Sequence, residues 1–211
     1  WTSIRYNEQA IRDSIPEFLL RLWNVYSFFV IYARIDGWDP ATCLSGTVGN
    51  LDHEVLKTAS DYRAVCDRCE LDRWILSELH RTIAAVTRFM DDYDNFSACQ
   101  QILGFVDALS NWYVRRSRAR FWSGTWTEDK RDAYWTLYEC LITLCRLVAP
   151  FVPFVAEEIW QNLAVQVFGE RTRKSVHLCD YPQALAELID EPLSAWMGAV
   201  RELVSLGRAA R

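Results

Sequence analysis

Apolar residues recur at helical spacing along most of this 211-residue chain, and few segments lack that period. The first helix is announced by Ser14-Ile-Pro-Glu17: Ser14 can cap, Pro16 suits a first turn, and Glu17 completes a capping box. It continues apolar almost all round to Ala33 and stops near Gly37, a residue suited to a left-handed stop, which predicts a buried core helix. Residues 37–70 show little periodicity and read as a long connector, of the kind that is often functional or mobile. A second helix is predicted over 72–93, with Ile75, Leu79, Ile83, Val86 and Met90 as its core stripe. A third begins after Asp94-Asn95, both good cap residues, and buries Cys99, Ile102, Phe105, Val106, Leu109, Trp112 and Tyr113. A fourth starts at Thr127, with Glu128 and Asp129 favourably placed in its first turn, and runs to Pro150. "PFVPF" forces a break before a helix containing "VAEEIWQNL". A polar loop "GERTRKS", an extended piece "VHLCDYP" and a last amphipathic helix from Pro192 complete the chain. The expected fold is all-α, an antiparallel helix bundle over 1–170 with a small trailing element over 171–211.

The same periodicity sorts the charges. On the second helix, Arg73, Ser77, Arg81, Ala84 and Arg88 share a stripe away from the core line, a basic face expected to meet solvent. The third helix ends in "NWYVRRSRARFW", residues 111–122, where four arginines stand between Trp112-Tyr113 and Phe121-Trp122. Extending the helical arc at 100° per residue puts Arg116 and Arg120 on the core line. It puts Arg115, Arg118 and Trp122 on the opposite side, in line with the small outward residues Gly104, Ala108 and Asn111. Arg116 and Arg120 must therefore meet acidic partners or project past the bundle end, since an unpaired guanidinium in a core is costly.

Composition permits a large core: 51% of residues are hydrophobic and 14% aromatic, with only eight Gly and six Pro as breakers. The net charge of −5 excludes nucleic-acid binding by bulk charge, so any such binding must come from a local basic face. Arginine beside exposed aromatics suits RNA, with guanidinium on phosphate and bases on rings. The same pairing can also staple helices through cation–π contacts and ion pairs. The second-helix stripe tilts the reading toward RNA. The apolar stretch Phe18–Ile35 is interrupted by Arg21, Asn24 and Arg34, which argues against a membrane span. Seven cysteines, several inside apolar helical patterns, and no signal-peptide pattern place the protein in a reducing cytoplasm.

Catalytic motifs are not found. "SGTVGN" is no phosphate loop, His53, His80 and His177 are scattered, and Glu157-Glu158 and Asp91-Asp92 read as helix-surface charges. Cys66-x-x-Cys69 is half a zinc site at most, with His177-x-Cys179 as a conceivable second half; free thiols are the expected state.

Four segments in order, "LWNVYSFFVIYARIDGWDP", "LDRWILSELH", "LSNWYVRRSRARFW" and "LVAPFVPFVAEEIWQNL", resemble the anticodon-binding helical domain of isoleucyl-tRNA synthetases, in the eukaryote-like branch of that family. Valyl-tRNA synthetases share the "DRWILS" and "APFxPFxxEEIW" portions but depart at the third helix. The resemblance implies a parent class I ligase that joins isoleucine to its tRNA with ATP and magnesium, in a catalytic domain bearing HIGH-like and KMSKS-like signatures. Neither signature is in this chain, which is expected to be a piece that binds and does not catalyse, with no cofactor or metal of its own. It is expected to be monomeric, to dock on the catalytic domain of the same chain and to bind isoleucine tRNA. The contacts expected are Arg115, Arg118 and Trp122, supported by Arg73, Arg81 and Arg88, with Arg116 and Arg120 better suited to structural pairing or domain docking. Glu78 and His80 depart from the Arg and Asn common at those positions in the family. A helical protein-interaction module is the alternative from another class, and the equivalent domain of a valyl-tRNA synthetase is a further one.

Overall fold

The computed structural model describes residues 8, 12 and 15–209. Among these the chain forms helices and turns with no strand, and a single isolated bridge joins Gly49 to Thr172. Helix α1 (Leu20–Asp36) is preceded by a π-helical turn, Ile15–Leu19, and α2 (His53–Leu56) is one turn within the connector. Helix α3 spans Glu70–Asp91. Helices α4 (Asn95–Asp107) and α5 (Arg115–Trp122) form one rod, joined by a π-helical turn over Ala108–Val114. Helix α6 (Glu128–Val148), α7 (Pro153–Trp160, continued by a π turn to Val165 and an α turn, Gln166–Phe168) and α8 (Glu191–Ala209) complete the order of the longer helices.

The caps act as their residue types dictate. Asp94 accepts from the Ser97 N–H at 3.0 Å, and Thr127 accepts from the Lys130 N–H at 3.1 Å. The Ser14 cap lies outside the described residues. Gly37 has φ 64°, and its N–H closes α1 onto Ala33 and Arg34 carbonyls. A Cβ there would meet no atom within 4 Å, so the left-handed backbone alone sets the cost of a side chain. Gly37→Ala should therefore lose about 1 kcal/mol. Thermal unfolding checks this, with an expected drop in Tm of about 2–4 °C for a chain of this size.

Helix α6 is the axis of the bundle. All of its positions from Lys130 to Val148 except Arg131 are buried, because α1, α3, α5 and α7 pack around it. Phe29, Trp38, Phe121, Tyr134, Trp135 and Tyr138 interlock on one side, with Trp38 and Tyr134 stacked at 5.3 Å between ring centroids. Such burial obliges the charged residues of α6 to find partners. Lys130 reaches Asp36 at 2.7 Å, and Asp132 receives Arg63 at 2.7 Å.

Three expectations are corrected here. Helix α1 buries one face only: Leu22, Val25, Tyr26 and Phe29 enter the core, while Leu20, Trp23, Ile31 and Ile35 stay exposed. By length and composition alone the helix spanning Ile15–Asp36 could cross a membrane. The connector is packed, not loose: Leu44, Val48, Leu51 and Leu56 are buried. Backbone N–H groups of Val48 and Gly49 donate to the Arg171 carbonyl, while the Arg171 guanidinium donates to the Gly46 and Leu44 carbonyls. Residues 176–178 form a 3₁₀ turn where an extended piece was expected, because Glu157 accepts the Ser175 hydroxyl at 2.8 Å and the Val176 N–H at 3.0 Å. That role also takes Glu157 out of the surface charges.

Candidate nucleic-acid interface

The rod α4–α5 carries the arginine–aromatic cluster, and its π turn decides which way each residue points. A π turn holds more residues than an α turn, so every later position is displaced around the axis. The buried line runs Leu109, Tyr113, Val114, Ser117, Phe121, one residue later than a uniform α-helix predicts. One expectation falls with it, at Arg116, and another fails at its start, at Ala108, where no shift has yet accumulated. Arg116 is exposed, not on the core line, and Ala108 is buried, not outward. Arg115, Arg118 and Trp122 are exposed as expected, Trp122 at 60%.

Arg120 alone turns inward. Its Nη1 and Nη2 donate to the Asp72 carboxylate at 2.8 and 2.6 Å, and its Nε donates to Asp129 at 2.9 Å. Tyr113 donates to Asp72 at 2.7 Å from a fully buried position. Burial alone would lower the Arg120 pKa, but the Asp72 carboxylate more than offsets this and holds the guanidinium above its ordinary value. Arg120 is thus a clamp between α5 and α3. Cys69, Asp72 and Asp129 lie close enough to resemble a metal cluster, yet Arg120 fills the space between the two carboxylates. Burial pushes the Cys69 thiol up, and its S–H donates to Asp72. Cys66, His177 and Cys179 do not join this group.

The start of α8 covers the N-terminal part of the basic stripe of α3, at Arg73 and Ser77, which corrects its reading as a solvent face there, while Arg81, Ala84 and Arg88 are exposed as expected. Ser77 is fully buried, its hydroxyl 3.0 Å from that of Ser194 and accepting the Asp190 N–H at 2.8 Å. Arg73 pairs with Asp190 at 2.8 Å, and Arg81 pairs with Glu78 at 3.0 Å and Glu191 at 3.4 Å. Arg88 remains at the surface over the Phe89 ring. The stripe was legible, but its cover, 117 residues away in sequence at Ser194, was not.

Helix α8 supplies two residues that the sequence reading missed. Arg201 and Arg208 face the rod across a cleft that also holds Arg115 and Arg116. Their spacing of seven residues places them on one face of a helix, and that spacing was the available signal. Among the described residues, Arg115, Arg116, Arg118 and Arg208 have no carboxylate partner, whereas Arg201 shares Asp107 with Arg21.

A second polar centre lies across the bundle, in a cavity of about 300 Å³. The fully buried Glu139 accepts from His53 at 2.7 Å and from the Tyr62 hydroxyl at 2.7 Å, and Arg68 lies over the Tyr62 ring. Burial works to raise the Glu139 pKa and lower that of His53; their mutual attraction wins, so Glu139 is held low and His53 high. His80, whose ring centroid is 6.5 Å from that of His53, is pushed down to about 4 by burial and accepts the Leu185 N–H through Nδ1. The network ties the connector to α6.

A family profile described as "Anticodon-binding domain of tRNA ligase" matches residues 72–211. The chain is 45% identical over 208 residues to an isoleucine–tRNA ligase of Dehalococcoides mccartyi, and 40% identical over 211 residues to those of Clostridium novyi and Bacillus thuringiensis. These alignments cover 98–100% of the chain but only 18% of each relative's length. In solved structures, its fold is similar to part of the Agrobacterium radiobacter LeuRS in a ternary complex with tRNA and LeuAMS, with TM-score 0.55, 18% identity, 89% of this chain and 18% of that one covered. With well over half of its residues matched by that profile, and folded as a helical bundle with an arginine-bearing rod on its flank, the chain belongs to the family of anticodon-binding domains of tRNA ligases.

Proposed function

We propose that this chain is the anticodon-binding part of an isoleucine–tRNA ligase and holds the anticodon stem-loop of isoleucine tRNA. The observation that carries this reading is the exposed group Arg115, Arg116 and Arg118, without a carboxylate partner among the described residues, on the same α4–α5 rod as the exposed ring of Trp122. Guanidinium groups bond phosphate oxygens in a fork, and an open indole face can stack a base. Similarity along the whole chain to ligases named for isoleucine supports the choice of amino acid. The mechanical task is positional: gripping one end of the tRNA lets its acceptor end reach a remote catalytic region, where ATP and magnesium serve the ligation in the cytoplasm. Arg120 takes no part in RNA contact in this reading and sets the angle of α5 through Asp72.

The test is titration of the full-length ligase with isoleucine tRNA and an anticodon-altered tRNA at two salt concentrations. Trp122→Ala is expected to weaken cognate binding by about 1–3 kcal/mol, the size of one lost base–aromatic stack. Arg118→Ala should also weaken it, while Arg88→Ala, on α3 outside the rod and laid over the Phe89 ring, should do less. Equal affinity of wild type and both rod variants for cognate tRNA would sink the reading.

A further inference from the structure

Helix α8 closes one side of a cleft of about 810 Å³ against the rod, with Arg115, Arg116 and Asp107 on the rod and Arg201, Glu202 and Arg208 on α8. Four guanidinium groups from two helices thus face two carboxylates. Both Asp107 oxygens are already occupied, one by Arg21 at 3.0 Å and Asn111 at 2.7 Å, the other by Arg201 at 3.1 Å. The cleft therefore keeps a surplus of positive charge, in a protein whose total is −5.

We infer that this cleft grips the sugar-phosphate backbone of an RNA stem, sequence-independently, and leaves base contact to the Trp122 end of α5. The inference rests on the RNA-binding reading above and divides its labour. Phosphate is favoured because arginine forks match its oxygens and stay charged at every physiological pH. Bases are disfavoured here because the one aromatic ring in the lining, Trp112, is half-buried and has the Arg201 guanidinium 5.8 Å from its centroid. A base stacking there would have to compete with that guanidinium. An acidic protein segment is disfavoured because Val204 is the only aliphatic side chain in the lining, so such a partner would bury little apolar surface. Trp122 lies seven residues beyond Arg115, about 10 Å along the helix, far enough for a separate contact.

The two roles separate by salt and by sequence. In the full-length ligase, Arg115→Gln, Arg116→Gln and Arg208→Gln are each expected to weaken cognate and anticodon-altered tRNA to the same degree. Each should also lower the slope of log affinity against log salt by about 1. Trp122→Ala should leave that slope unchanged and reduce discrimination between the two tRNAs. Cleft variants that keep the wild-type slope while still binding tRNA would overturn the cleft's role and leave the RNA reading standing. Wild-type enzyme that binds neither tRNA would overturn both. Cleft variants that lose binding to polyglutamate but retain tRNA with full salt dependence would assign the cleft to an acidic protein partner instead. Circular dichroism of each variant, expected to match wild type since all three arginines are exposed, separates lost contacts from lost fold.

Discussion

Replacing Asp72 by alanine is expected to destabilise the fold by about 3 kcal/mol, at the low end of what breaking a buried ion pair costs. Asp72 is fully buried in the first turn of α3 and takes both terminal nitrogens of Arg120 as well as the Tyr113 hydroxyl. Its removal strips the main partner from a guanidinium whose side chain is only 12% exposed, and leaves the buried Tyr113 phenol with only the distant Ala133 carbonyl, 3.5 Å away, as acceptor. Asp129 still holds the Arg120 Nε, which is why the upper end of the range is not expected. Urea unfolding with an unchanged m-value is the measurement. Pairing Asp72→Leu with Arg120→Met should recover much of the loss, because an apolar pair leaves no stranded charge. A loss under about 1 kcal/mol for Asp72→Ala would show that the clamp is not what fixes α5 to α3.

The second large effect belongs to Glu139 and carries a pH signature. Glu139→Gln keeps the shape but removes the charge that His53 and Arg68 face, for an expected loss of about 2–3 kcal/mol. The pKa of His53 is raised in the folded state, so its stabilisation is complete below the unfolded value of 6.5 and fades as pH rises through the raised one. That of Glu139 is lowered, so its contribution is complete above 4.5 and fades as pH falls through the lowered value. Wild type and Glu139→Gln should therefore differ most between these two limits and less in alkaline solution. The difference does not vanish there, because the carboxylate still accepts from Tyr62. Urea midpoints at about pH 5.5 and 8.5 decide the matter; an equal gap at both would mean that His53 is neutral in the fold at either pH.

Much of the bundle is local chemistry. Asp94 and Thr127 cap because their oxygens reach the free N–H groups of a first turn, whatever lies elsewhere in the chain. Ile75, Leu79, Ile83 and Val86 fall on one face by period alone and are buried together. The errors have physical sources that no periodicity could reveal. The π turn Ala108–Val114 shifts the phase of the rod, which turned Arg116 out. His53 and Glu139 are 86 residues apart, and neither is part of a motif, so their pairing was invisible. Arg201 and Arg208 were readable as one helical face but gained meaning only when α8 came to lie against the rod.

The sequence by itself determined that the chain is a helical bundle, where most of its helices begin, and that its arginines and aromatics concentrate over residues 111–122. Those features depend on neighbours within a turn or two and on burial of apolar faces. Only the tertiary structure decided which arginines are available. Arg120, Arg73 and Arg81 are taken by carboxylates from other turns and helices, while Arg115, Arg116, Arg118 and Arg208 are left without a carboxylate among the described residues. A charge is free or spent according to what stands within a few ångströms of it, and that distance is set by packing between elements far apart along the chain.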